Sequence, residues 1–172
     1  IPADEKHRIR LAMRSLLLEH DDGLTLIETG LGNKENDKFL GIYGVENAGA
    51  DGRTWLEDGL ASLGYRTDDI SRVVCTHLHF DHAGGSTFIA PDDPERRPQP
   101  TFARARHTIH RGELEYATHT NERTHASYFP ANWQPLIEAG LVDFIDGLEN
   151  EIVPGVTTAV APGHAPWHQV VR

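Results

Sequence analysis

Apolar and polar residues alternate at the start of residues 8–19, RIRLAMRSLLLE, and then give way to an unbroken apolar run. A period of two that ends in continuous hydrophobicity predicts a strand that begins half-exposed and ends buried. His20-Asp21-Asp22 is a turn signal, and the apolar run of residues 23–30, GLTLIETG, follows it. The two segments therefore predict a hairpin. Residues 33–43 predict a short helix, and NAGADG a loop. In residues 53–63 the spacing changes: Leu56, Leu60 and Leu63 recur at i, i+4 and i+7, and Gly64 follows as a stop, which predicts a helix. TDDISRVVCTHLH then reads as a turn, a short buried strand and a run of histidines.

Residues 91–100, PDDPERRPQP, carry four prolines and mixed charge, and predict a surface loop. TFARARHTIH predicts a strand, and RGELEYAT begins a helix. A further short helix is predicted over residues 134–139, with Pro135 in its first turn, where proline is tolerated. LVDFID and VTTAVAPGH predict strands. Strands and helices intermingle without repeats, which predicts an α/β (α+β) layered fold in one domain over residues 1–172.

Composition narrows the class of partner. A chain of 172 residues buries roughly 70% of its unfolded surface, enough for a real core. The formal net charge of −10 argues against nucleic acid and anionic membranes, because no basic surplus exists to meet phosphates. No apolar stretch approaches the length of a membrane span. The single cysteine, Cys75, excludes an internal disulfide; inside VVCT it reads as a small core residue, which fits the cytoplasm. The opening IPADEK is unlike a secretory leader, and Ile1 in place of Met reads as a processed or cut terminus from which any leader is already gone.

The chemistry concentrates in HLHFDHAGG, residues 77–85. In an extended backbone, residues two apart face the same way, so His77 and His79 project together. Gly84-Gly85 permits a sharp turn, which puts Asp81 and His82 on that turn or at the start of a following helix. Three imidazoles and a carboxylate in six residues, directly after a buried strand, predict metal binding, with room for two ions side by side. Neutral imidazole and carboxylate suit zinc, with manganese, iron or cobalt as alternatives.

The run has the H-x-H-x-D-H pattern, and with LIETGLG at residues 26–32 and APGHAPWHQ at residues 161–169 it resembles the metallo-β-lactamase superfamily. The resemblance is strongest to the lactonase and methyl-parathion-hydrolase-like branch. It implies an αβ/βα sandwich with metals at one edge between two sheets. It also implies His77, His79 and His164 on a first metal, and Asp81 and His82 on a second. His164 follows a strand and a glycine, so its ring emerges at a strand end. His168 stands at the second histidine of the family's H-x-x-G-H pattern and is read as supporting the site without binding metal; Trp167 replaces that pattern's glycine.

Other candidates carry a second reading. His119 and His125 lie in a segment that resembles the branch's pocket cover and equally reads as solvated loop. His107 and His110, among Arg104, Arg106 and Arg111, read as a solvated strand edge. Glu28 stands where the family often has aspartate, and reads as a carboxylate accepting backbone N–H groups at a strand end.

The family also calls for a bridging aspartate and a late histidine after His164. APWHQVVR contains no aspartate, and Asp143 and Asp146 come too early in the order. The chain is therefore expected to be incomplete at its C-terminal end and shortened at its start, with a second copy or a complementary fragment as a partner. The function expected is a dinuclear metal-dependent hydrolase using a hydroxide nucleophile, with Asp81 also carrying a proton. The first substrate is a small-molecule lactone of the acyl-homoserine type; β-lactams, aryl esters and organophosphate triesters are alternatives. The rival is a non-catalytic metal-binding or interaction module.

Overall fold

A computed structural model describes residues 1–172. The predicted hairpin forms: β1 (Leu16–His20) pairs antiparallel with β2 (Gly23–Ile27), Leu17 opposite Leu26. β3 (Ile70–Val74), β6 (Arg106–His110) and β7 (Val142–Ile145) then add in parallel, giving a sheet of order β1-β2-β3-β6-β7. β2, β3 and β6 therefore end side by side at one edge, where crevices form in sheets of this kind. The helices in the crossovers are α1 (Asp37–Tyr43), α2 (Trp55–Ser62), α3 (Phe80–Ala83), α4 (Arg111–Thr118) and α5 (Gln134–Glu138). α2 starts at Thr54, whose hydroxyl accepts from Glu57 N–H while the Glu57 carboxylate accepts from Thr54 N–H.

Apolar side chains from these elements form one core. Leu26, Ile70, Val73, Phe102, Ile109 and Trp133 are almost fully buried in it, with Leu60 from α2. Cys75 is buried beside them, and burial pushes its thiol up to about 12, as a packing residue requires. A second sheet, order β10-β9-β8, is antiparallel: β8 (Glu149–Val153), β9 (Val156–Val160) and β10 (Gln169–Val171). It joins the first at the strand ends, where Gln169 N–H donates to Thr76 O at 3.0 Å. No helix is long and apolar enough to cross a membrane.

Four expectations change. Residues 8–15 form no strand, and Ile9, Leu11 and Met13 are exposed. Alternation makes a strand only where a neighbour completes the ladder, and this stretch has none; Arg8 instead donates to Gly41 O at 2.9 Å. Within TFARARHTIH only the last five residues are strand. The proline-rich loop contains β5 (Pro98–Pro100), paired with β4 (Thr87–Ile89) in a two-stranded ribbon, an edge position that proline tolerates. His107 and His110 are no solvated edge: they are 0% and 2% exposed. β6 lies inside the sheet between β3 and β7, so both of its edges are paired, and in a parallel sheet the crossover elements cover the faces. The charge that sequence placed there belongs to Arg106, which pairs with Asp143.

Candidate metal centre

β3 delivers the first imidazole. Its apolar residues end at Val74, and the chain continues extended through Cys75 and Thr76 to His77, which is 1% exposed. His79 stands at the N-cap of α3, a single turn that carries Asp81 and His82. The glycines that follow are required by packing: a Cβ on Gly85 would lie 2.2 Å from Thr29 O. His164 comes from the loop between β9 and β10, so the site lies where the two sheets meet.

The rings of His77, His79 and His164 form a near-equilateral triangle, with centroids 4.6, 4.7 and 4.9 Å apart. One nitrogen from each lies within 4.8 Å of the others. His79 Nδ1 and His164 Nε2 are 3.1 Å apart. His77 Nε2 is buried without any hydrogen-bond partner, the condition of a nitrogen kept for a cation. Burial pushes the His77 imidazole down to about 2, with the neighbouring imidazoles adding to the effect. Burial and His164 push His79 down to about 4. Both rings are thus neutral at physiological pH, the form that ligates metal. The donor set fits a divalent cation.

Asp81 and His82 form a second pair. Asp81 Oδ2 lies 3.6 Å from His82 Nε2, and the His82 ring is 4.1 Å from that of His77. Glu28 also comes within ligand range of His77 and His82. Its carboxylate, however, contacts Nδ1 of His82, the nitrogen away from Asp81, and accepts from Thr76 N–H at 2.7 Å. Sequence anticipated the backbone bond and missed the imidazole. For His82 burial disfavours the charged form, but the Glu28 hydrogen bond and the charges of Glu28 and Asp81 outweigh it and raise the pKa.

Residues that sequence reasoning passed over support these side chains. Glu113 of α4 is buried; it accepts from Leu78 N–H at 3.0 Å, between His77 and His79, and from the Tyr128 hydroxyl at 3.1 Å. Burial raises the Glu113 pKa, against these two bonds. The Tyr128 ring packs edge-on to His79 at 4.6 Å. One acidic residue in an amphipathic helix gives no signal of its own, so no sequence pattern reveals Glu113. The His168 ring lies 5.0 Å from that of His77 and 6.1 Å from that of His164. Trp167 stacks on buried His110 at 4.8 Å and lines a cavity of about 290 Å³ with Gly112, Glu115, Tyr116 and His119. His125 bonds within its own turn. Asp143 and Asp146 pair with arginines.

An aromatic wall flanks the motif. Phe80, between His79 and Asp81 in the chain, packs with Phe39, Tyr43 and Phe129 at 4.9, 5.1 and 5.8 Å.

Residues 14–172 match the sequence profile of the Metallo-beta-lactamase superfamily. An N-acyl homoserine lactonase of Bacillus thuringiensis is 27% identical over 175 residues, covering 94% of this chain and 58% of the lactonase. The structure of a probable metal-dependent hydrolase from Staphylococcus aureus superposes with a TM-score of 0.82 at 26% identity, covering 98% of this chain and 56% of that one. An N-acyl homoserine lactone hydrolase with the product N-hexanoyl-L-homoserine bound at its catalytic metal centre superposes with a TM-score of 0.63 at 27% identity, covering 91% and 55%. The chain thus spans somewhat over half the length of the relatives it matches.

Proposed function

The chain belongs to the metallo-beta-lactamase superfamily, and we propose that it carries the metal centre of a hydrolase that opens a lactone or related ester. The observation that carries this reading is the triangle of imidazoles with the buried, unpartnered Nε2 of His77. His77, His79 and His164 hold one cation, and Asp81 with His82 contributes to a second; zinc fits these donors, as do manganese, iron and cobalt. Bound there, such cations supply Lewis-acid chemistry, acidifying water and polarising a carbonyl.

The chain's own residues supply the rest. Asp81, 42% exposed at its side chain, stands at the rim, where it takes up and returns a proton. Glu113 and Tyr128 hold the loop of His77 and His79 in place. The wall of Phe39, Tyr43, Phe80 and Phe129 offers an apolar arm of the substrate a surface to lie on. This favours a lactone with an acyl chain over a small β-lactam or a phosphotriester. The lactonase relatives agree in substrate class.

The test is metal analysis of the purified protein, with turnover measured on acyl-homoserine lactones of increasing chain length, a β-lactam, an aryl ester and a phosphotriester. Metal-dependent ring opening that improves with chain length is expected. Bound metal without turnover on any of them would make the protein a binding module. Absence of metal would remove the reading altogether.

A further inference from the structure

Glu28 follows the last residue of β2 with φ of 66°, in the left-handed region. A non-glycine residue there costs roughly 1 kcal/mol or more, and glycine would occupy it freely. The side chain is nonetheless buried, and its two oxygens have different partners. Oε1 accepts from Thr76 N–H at 2.7 Å; Oε2 contacts Nδ1 of His82. Thr76 in turn places its hydroxyl 3.0 Å from Nδ1 of His77. The next residue grips His82 at its other end: Thr29 N–H and Thr29 Oγ1 donate to His82 O at 2.8 and 2.9 Å.

We propose that Glu28 is a positioning residue that fixes the Nδ1–H tautomer of His82 and so leaves Nε2 unprotonated toward Asp81. A carboxylate only accepts, so the proton between Glu28 and a neutral His82 sits on Nδ1. Nε2 is then the free nitrogen, 3.6 Å from Asp81 Oδ2. The left-handed backbone turns the chain at the strand end and aims the carboxylate at the ring. Glycine would relieve the strain but could not reach His82. A carboxylate bound to the far nitrogen of an imidazole ligand both orients it and raises its basicity.

The inference rests on the reading of His82 as a ligand only for its effect on metal; the tautomer is measured without metal. Long-range 1H–15N correlation on the metal-free protein, at a pH raised until the ring signals no longer change, reads it directly. His82→Gln assigns the signal. His82 is expected as Nδ1–H. In Glu28→Gly it is expected to shift to the Nε2–H form that free imidazole favours, with native circular dichroism because the left-handed position suits glycine. Zinc affinity should fall roughly 10–100-fold. Glu28→Gln, which keeps an acceptor oxygen at the same reach, should restore part of the tautomer and of the affinity. An Nε2–H signal in the unmodified protein overturns the proposal, whether or not the variants fold. So does an unchanged tautomer in Glu28→Gly. A changed tautomer with unchanged zinc affinity upholds the role of Glu28 and removes His82 from the ligand set.

Discussion

His79 and His164 lie 85 positions apart in the chain, and their facing nitrogens lie 3.1 Å apart in space. That contact is within hydrogen-bond range, and the same two nitrogens are the ones the proposed site would give to a cation.

Replacing either ring should therefore remove bound metal without removing the fold, since His79 is half-buried and His164 exposed. For His79→Ala and His164→Ala we expect metal content well below one ion per chain and loss of most activity. Elemental analysis with full metal retention would exclude the triangle as the binding site.

Asp81→Asn keeps an oxygen near His82 Nε2 but carries neither charge nor a transferable proton. Turnover on a lactone should fall about 10²–10⁴-fold with an unchanged circular dichroism spectrum. Near-normal turnover would deny Asp81 a catalytic role.

His107 gives a pH-dependent stability. Neither of its ring nitrogens has a partner, and burial pushes its pKa down from 6.5 to about 4. The unfolded chain therefore binds the proton first. Stability present above pH 6.5 is lost as pH falls toward 4, by about 3 kcal/mol in total. Urea unfolding of His107→Leu should show a loss smaller by about that amount over the same range. Parallel losses in the two proteins would mean that His107 titrates normally.

Gly112 lies beneath Trp167: a Cβ there would sit 2.4 Å from the indole ring. Gly112→Ala should push Trp167 off His110, change its fluorescence and cost about 1–3 kcal/mol in thermal unfolding. Because Trp167 lies between His164 and His168, metal affinity should weaken too. An unchanged emission spectrum and Tm would show that the contact is not held in solution.

The part of the candidate site written in one continuous segment was legible in the sequence. His77, His79, Asp81 and His82 declare themselves by type and spacing, and the structure puts them on one strand end and the turn after it. His164 was reachable only through the resemblance, because nothing local marks a histidine as the partner of one far away. Glu113 and the ring contact of Glu28 were not legible, since both depend on which elements become neighbours. In the fold, α2, α4 and α5 follow from periodicity and turn chemistry. β8, with the polar sequence ENEIV, and the three-residue β4, β5 and β10 are set by pairing partners instead. Residues 8–15 fail in the opposite sense: the pattern is there and the partner strand is not.

The hydrogen bond from Gln169 to Thr76 joins the last strand to the residue just before His77. A contact between segments so distant in sequence requires a large loop to close. The triangle is therefore absent from every state in which the two sheets have not yet met. A nascent or partly unfolded chain presents only the histidines of one short segment. Such a chain lacks the third nitrogen of the triangle, and metal held by His77, His79 and His164 together becomes a report that the two sheets have come together.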